Sequence, residues 1–274
     1  MHRREFIKAS AATVSLSAAT EVNAKDCKPP TYRGTFMLVH GANHGAWCWR
    51  DVRDRLRAAN YQVFTPTLTG LGERSHLLSP DIRLQDHIDD ITNVILTEEL
   101  HDIVLVGHSY GGTVITGVCD ALKSRINQVI FLDANTPKDG MATIPGLTPE
   151  LVEQATGEPL VDGYQVPPLS PVQLGIDPDD TANIEWLKRR LTPHPITTLS
   201  EPLQLHNSGC DNIQRTFILT TKKEFLRPFA LQRLEEIKHD STWNYEELIV
   251  GHDAMITAPC NVVDLLIELA NFKK

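Results

Sequence analysis

Apolar and polar positions alternate along this chain with two different periods. Thr35–Val39 and Ile103–Val106 are short apolar runs, Gln128–Leu132 and Thr216–Thr220 are similar, and Tyr61–Thr67 is rich in β-formers. Glu247–Val250 reads as a further strand. Between these runs the spacing changes. Leu84, Ile88, Ile91 and Ile95 share one face of a helix over Leu84–Leu100, and Val52, Leu56 and Ala59 do so over Ala46–Asn60. Helices are also expected from Gly111 to about Arg125 and from Met255 to Phe272. A strand apolar on both sides must be covered on both sides, so the alternation predicts an α/β fold with a mostly parallel central sheet and helices on both faces.

One stretch breaks the rhythm. Eleven of the 17 prolines fall between Pro137 and Pro202, among Asp and Thr clusters, with only short helical patterns such as Asn183–Leu191. An irregular insertion of that length in a compact domain is usually a lid or binding loop. We read residues 137–205, approximately, as a cap inserted after the fifth or so strand.

Composition narrows the classes of function. The 274 residues carry a formal net charge of −9 and no Lys/Arg cluster, which argues against nucleic acid or an anionic membrane surface as partner. No apolar run reaches the ~18 residues of a spanning helix, so no stable membrane insertion is expected. The first 24 residues stand apart: Arg3-Arg4, Phe6-Ile7-Lys8, a mildly apolar run and Val22-Asn23-Ala24 have the order of a twin-arginine export signal. Cleavage after Ala24 would leave residues 25–274 in the periplasm or secreted. The five cysteines are widely spaced, with no C-x-x-C, so no metal site is read. Cys119 and Cys260, on apparent helices, are expected as core thiols.

The chemistry is concentrated in Val106–Gly117, VGHSYGGTVITG. A strand runs into Gly107-His108-Ser109-Tyr110-Gly111 and a helix follows. That is G-x-S-x-G in the strand–turn–helix context that exposes a serine Oγ above the sheet. A serine hydroxyl needs a base within reach. Of the later histidines, His194 lies between prolines inside the cap and reads as surface, and His239 sits in a charged run. His252 follows the last strand directly, at the sheet's carboxyl edge, and is assigned as the base. Two N–H donors complete the set: Tyr110, next after the serine, and Ala42, in the loop His40–Gly45 after the first strand.

HGANHGAWCW, PTLTGLGER, VGHSYGG and FLDANTPKDG together resemble the α/β-hydrolase superfamily. They are most similar to its branch of small esterases that holds plant methylesterases, plant hydroxynitrile lyases and bacterial hydrolases of pyrethroid-type esters. The resemblance runs from about Thr35 to the C-terminus, weakest across the cap. It implies a serine esterase acting through an acyl-enzyme, with no metal or organic cofactor, and the cap's apolar Leu160, Val166, Leu169, Leu174 and Trp186 suggest a small, partly hydrophobic ester. Lactonase, amidase and carbon–carbon lyase chemistry are the alternatives within enzymes. A non-catalytic receptor on the same fold is the alternative outside them, disfavoured by the intact serine and histidine. The lyases of the branch carry a threonine and a lysine where this chain has Gly41 and Asp253, which favours hydrolysis.

The triad acid departs from the family pattern. A T-x-D aspartate is expected after the next-to-last strand, and here Lys223 occupies its place. Glu224, one residue later, is assigned as the acid. Asp133, at the end of the preceding strand in FLDA, is the competitor, with a structural role in the Asn135–Gly140 turn as its expected duty.

Overall fold

Six strands form the central sheet, and the inner ones are apolar toward both faces. The computed structural model describes residues 30–222 and 228–270. In chain order the strands are β1 (Thr35–Val39), β2 (Gln62–Phe64), β3 (Ile103–His108), β4 (Ile126–Leu132), β5 (Gln165–Val166), β6 (His194–Pro195), β7 (Gln214–Thr220) and β8 (Trp243–Leu248). The large sheet has the order β2-β1-β3-β4-β7-β8 with every pairing parallel, while β5 and β6 form a separate antiparallel pair. The helices are α1 (Arg50–Ala58), α2 (Leu84–Thr97), α3 (Gly111–Leu122), α4 (Pro149–Thr156), α5 (Thr181–Lys188), α6 (Ile196–Ser200), α7 (Pro228–His239), α8 (Ala254–Thr257) and α9 (Pro259–Leu269).

The strand β3 shows how the sequence builds two layers. Ile103 and Leu105 enter one apolar cluster, with Ile88, Ile91 and Ile95 of α2 and Val114 and Val118 of α3. Val104 and Val106 enter the other, with Val52 and Leu56 of α1 and Val262, Val263 and Leu266 of α9. Successive side chains of a strand point to opposite faces, so a run apolar at every position needs a core on each side.

The insertion leaves the sheet after its fourth strand rather than its fifth. It spans α4, β5, α5, β6 and α6 before the chain returns at β7. Two other expectations are corrected at the C-terminal end. The last strand covers Trp243–Leu248, not Glu247–Val250: it is the sheet's edge and largely polar, and Ile249 beyond it is 73% exposed. The final helix is split, because Pro259 starts α9 and Ala258, at φ −141°, falls between it and α8. Cys119 is buried as expected, whereas Cys260 is exposed. The export signal expected at residues 1–24 falls outside the described residues.

Candidate active site

The site gathers at the carboxyl edge of the sheet, where loops after β1, β3, β4 and β8 converge. Sheet order reverses between β1 and β3, and in open parallel sheets such a switch point leaves a crevice between diverging loops. Ser109 leaves β3 at φ 52°, a left-handed conformation that a non-glycine residue adopts only under constraint from its surroundings. The turn is closed tightly: a Cβ at Gly111 would lie 2.7 Å from the His40 carbonyl oxygen and 2.8 Å from that of Val39. The chain then enters α3, whose first-turn N–H groups and dipole favour negative charge beside the serine. Tyr110, at its N-terminal boundary, is buried, and burial pushes its hydroxyl pKa up.

The neighbouring strand ends the same way. Asp133 follows β4 at φ 46° and its N–H donates to the Ile218 carbonyl at 2.7 Å. Its Oδ2 accepts from His252 Nδ1 at 2.6 Å and from the Thr220 hydroxyl at 2.6 Å. The structure therefore places Asp133 on the Nδ1 nitrogen of His252. That corrects its expected duty in the Asn135–Gly140 turn. Glu224 lies outside the described residues. Since the bond runs through Nδ1, the proton-accepting Nε2 of His252 is left for other work. Ser109, His252, Asp133, Tyr110 and Ala42 all line one cavity of about 210 Å³.

The loop after β1 is held residue by residue. His40 is completely buried; its Nδ1–H donates to the Gly41 carbonyl at 2.8 Å and its Nε2 accepts the Leu68 N–H at 3.1 Å. Both bonds are made by the neutral ring, and burial brings the pKa down to about 3. The Gly41 carbonyl and the Ala42 N–H belong to one peptide group, so His40 fixes the plane of the Ala42 N–H. Gly41 has no room for a side chain: a Cβ there would lie 2.9 Å from Ser109 Cβ and 3.0 Å from His108 Nδ1. His108 is itself buried, donates from Nε2 to the His252 carbonyl at 3.0 Å, and is brought by burial to a pKa of about 3.

The cap supplies the rest of the wall. Ile144, Leu147, Leu151, Val152, Val166 and Leu199 line the cavity, whereas no Lys, Arg or Glu does so among the described residues. His194, expected at the surface, is completely buried. Its Nε2–H donates to the Thr198 hydroxyl at 2.7 Å and its Nδ1 accepts the Asn43 N–H at 3.4 Å. The flanking prolines suggested an exposed turn, but they place His194 in β6, facing inward onto the early loop. The sequence offered no local signal for that.

A parallel sheet with a strained serine after its third strand, facing an Asp–His pair across a capped cavity, defines a hydrolase-type site. Comparison with known proteins agrees. The model of the alpha/beta hydrolase family matches residues 36–265. A carbendazim hydrolyzing esterase of Nocardioides sp. (strain SG-4G) is 38% identical over 248 residues, 85% of this chain and 98% of that protein. A pheophorbidase of Raphanus sativus is 26% identical over 86% of this chain and 94% of its own length. Among solved structures, an extracellular alpha/beta-hydrolase from a Paenibacillus species superposes with a TM-score of 0.71 at 22% identity, covering 86% of this chain and 99% of its own. The chain belongs to the alpha/beta hydrolase family and is a carboxylic ester hydrolase.

Proposed function

We propose that the protein hydrolyses an uncharged, partly hydrophobic carboxylic ester through a covalent acyl-enzyme. The observation that carries this reading is the 2.6 Å bond between His252 Nδ1 and Asp133 at the rim of the cavity that Ser109 lines. Ser109 Oγ attacks the ester carbonyl while His252 Nε2 takes its proton. The N–H groups of Ala42 and Tyr110 stabilise the tetrahedral oxyanion, each worth about 3 kcal/mol. The imidazolium, steadied by Asp133, protonates the leaving alcohol, and water repeats the sequence on the acyl-enzyme. Asp133 takes the role that the sequence assigned to Glu224.

The cavity's apolar walls support a neutral substrate, since a charged group buried there would find no counter-ion other than the Asp133–His252 pair. A cyanohydrin lyase would need a hydroxyl at position 41 and a cation at 253; the chain has Gly41 and a completely buried aspartate. The export signal supports a periplasmic or secreted enzyme.

The test is a p-nitrophenyl ester assay with Ser109→Ala beside the wild type. We expect a p-nitrophenol burst from the wild type, blocked by a serine-directed phosphonate, and a loss of about 10⁴- to 10⁶-fold in kcat for Ser109→Ala. Activity within tenfold of wild type would place the chemistry at another residue.

A further inference from the structure

His44 lies two residues beyond the Ala42 donor, and the mechanism above makes no use of it. It is buried, with a side chain 2% exposed. Its Nδ1 is 2.7 Å from the Ala42 carbonyl oxygen and its Nε2 is 3.1 Å from Asp253 Oδ2. Burial opposes the charge of Asp253, but the His44 charge and hydrogen bond hold its pKa below the ordinary value. With Asp253 ionised both partners only accept, so both ring nitrogens carry protons and the ring is an imidazolium. Trp47 stacks on it, with ring centroids 5.2 Å apart at an interplanar angle of 26°. Asp253 is completely buried, follows His252 directly, and its N–H donates to the Leu174 carbonyl of the cap at 3.1 Å.

We propose that His44, as a buried cation held between the Ala42 carbonyl and the Asp253 carboxylate, is a positioning residue that locks the oxyanion loop to the loop carrying the catalytic base. The proposal rests on the reading of Ala42 and His252 given above. Losing either ring proton breaks the lock. Without the Nδ1 proton, the Ala42 carbonyl faces a lone pair, and its peptide is left with only the 3.4 Å bond from Asn43 N–H to His194. Without the Nε2 proton, Asp253 is left as a buried charge with no hydrogen-bonded partner, next to the base it anchors, and such a residue moves or takes up a proton.

The groups around the His44 ring come from several elements. Asp253 faces it from the base loop, His108 from β3, His40 from its own loop and His194 from the cap, with His252 and the Cys48 thiol near Asp253. Burial keeps His40 and His108 neutral, with pKa values of about 3, and holds His194 well below its ordinary value. Burial also pushes the Cys48 thiol up, so it stays protonated. For His44 burial opposes the charge, but the field and hydrogen bond of Asp253, with the Ala42 carbonyl, raise its pKa above the ordinary value. The lock is therefore fully formed below the ordinary histidine range and is lost as pH rises through that raised value.

The experiment pairs spectroscopy with pH profiles. Long-range ¹⁵N spectra of histidine-labelled Ser109→Ala protein, where no turnover intervenes, should show one imidazole keeping both ring protons to higher pH than an ordinary histidine does. That signal should be missing in the Ser109→Ala, His44→Gln protein. In the otherwise native enzyme, Asp253→Asn should shift the alkaline loss of kcat/KM to lower pH. His44→Gln should abolish that alkaline loss while lowering the plateau by about tenfold to a hundredfold. A single ring proton on every buried imidazole at neutral pH overturns the proposal, as does an alkaline limb unchanged by Asp253→Asn. A wild type that shows no phosphonate-blocked burst would instead overturn the serine mechanism beneath it, a separate result.

Discussion

At the scale of single residues, the site rests on two strained positions at the ends of adjacent strands. Ser109 and Asp133 sit at φ 52° and φ 46°, conformations that cost a non-glycine residue about 1–2 kcal/mol each. Each is held by bonds that its position makes possible. The Ser109 carbonyl accepts from Gly112 and Asn135 N–H groups at 3.1 and 2.9 Å, while Asp133 reaches both Thr220 and His252. Removing the charge of Asp133 leaves His252 without the partner that selects its tautomer. We expect Asp133→Asn to lower kcat by about 10⁴-fold with a small change in melting temperature, and Glu224→Gln to stay within about tenfold of wild type. Steady-state rates on one ester beside a thermal melt decide it; the opposite pattern would return the acid to Glu224. Ser109 was legible in the sequence because its signal is local, five residues between a strand and a helix. The Asp133–His252 contact spans 119 positions and depends on how one strand end turns, which no short pattern encodes. The one clue was that FLDA ends a strand with a carboxylate.

Between elements, the cap and the early loop meet at Asn43. Its Nδ2 donates to the Val166 carbonyl at 3.1 Å and the Thr192 carbonyl at 3.0 Å, and its own carbonyl accepts the Thr192 N–H at 3.0 Å. Asparagine tolerates the left-handed region better than most residues, and here φ is 62°. The bonds therefore join the cap to the residue beside Ala42, the proposed oxyanion donor. Asn43→Gly should lose only the two side-chain bonds, about 1 kcal/mol each, whereas Asn43→Ala should add a strain of about 1 kcal/mol. We expect the alanine variant to melt lowest of the three proteins and both variants to show a raised KM. Calorimetry and ester kinetics on the pair check this, and equal melting temperatures for glycine and alanine variants would remove the strain argument. The cap's existence was legible from its prolines, but its contacts were not. Asn43 and His194 lie 151 positions apart, and each looks like an ordinary loop residue in its own neighbourhood. The edge strand β8 was misplaced for a related reason: its polar face hides the period, and the apolar Ile249-Val250 pair drew the assignment past its end.

At the scale of the whole molecule, the question is where this fold does its work. The export signal proposed for residues 1–24 pairs Arg3-Arg4 with Phe6-Ile7-Lys8 and ends in Val22-Asn23-Ala24, a small-residue cleavage pattern. Twin-arginine signals direct proteins that fold before they cross the membrane, which suits a chain whose proposed triad is assembled from strand ends far apart in sequence. Three of its cysteines, Cys48, Cys119 and Cys210, are free and buried, so a protein exported folded would carry them shielded into an oxidising compartment. We expect the exported enzyme to begin at Lys25 and to retain these thiols. Replacing Arg3 and Arg4 together by lysine should leave an uncleaved, active precursor in the cytoplasm. N-terminal sequencing of the exported form, with esterase activity measured in each fraction, tests the assignment. A wild-type chain recovered uncleaved from the cytosol of a host with a working twin-arginine pathway would refute it, because the arginine pair would then have no address to read.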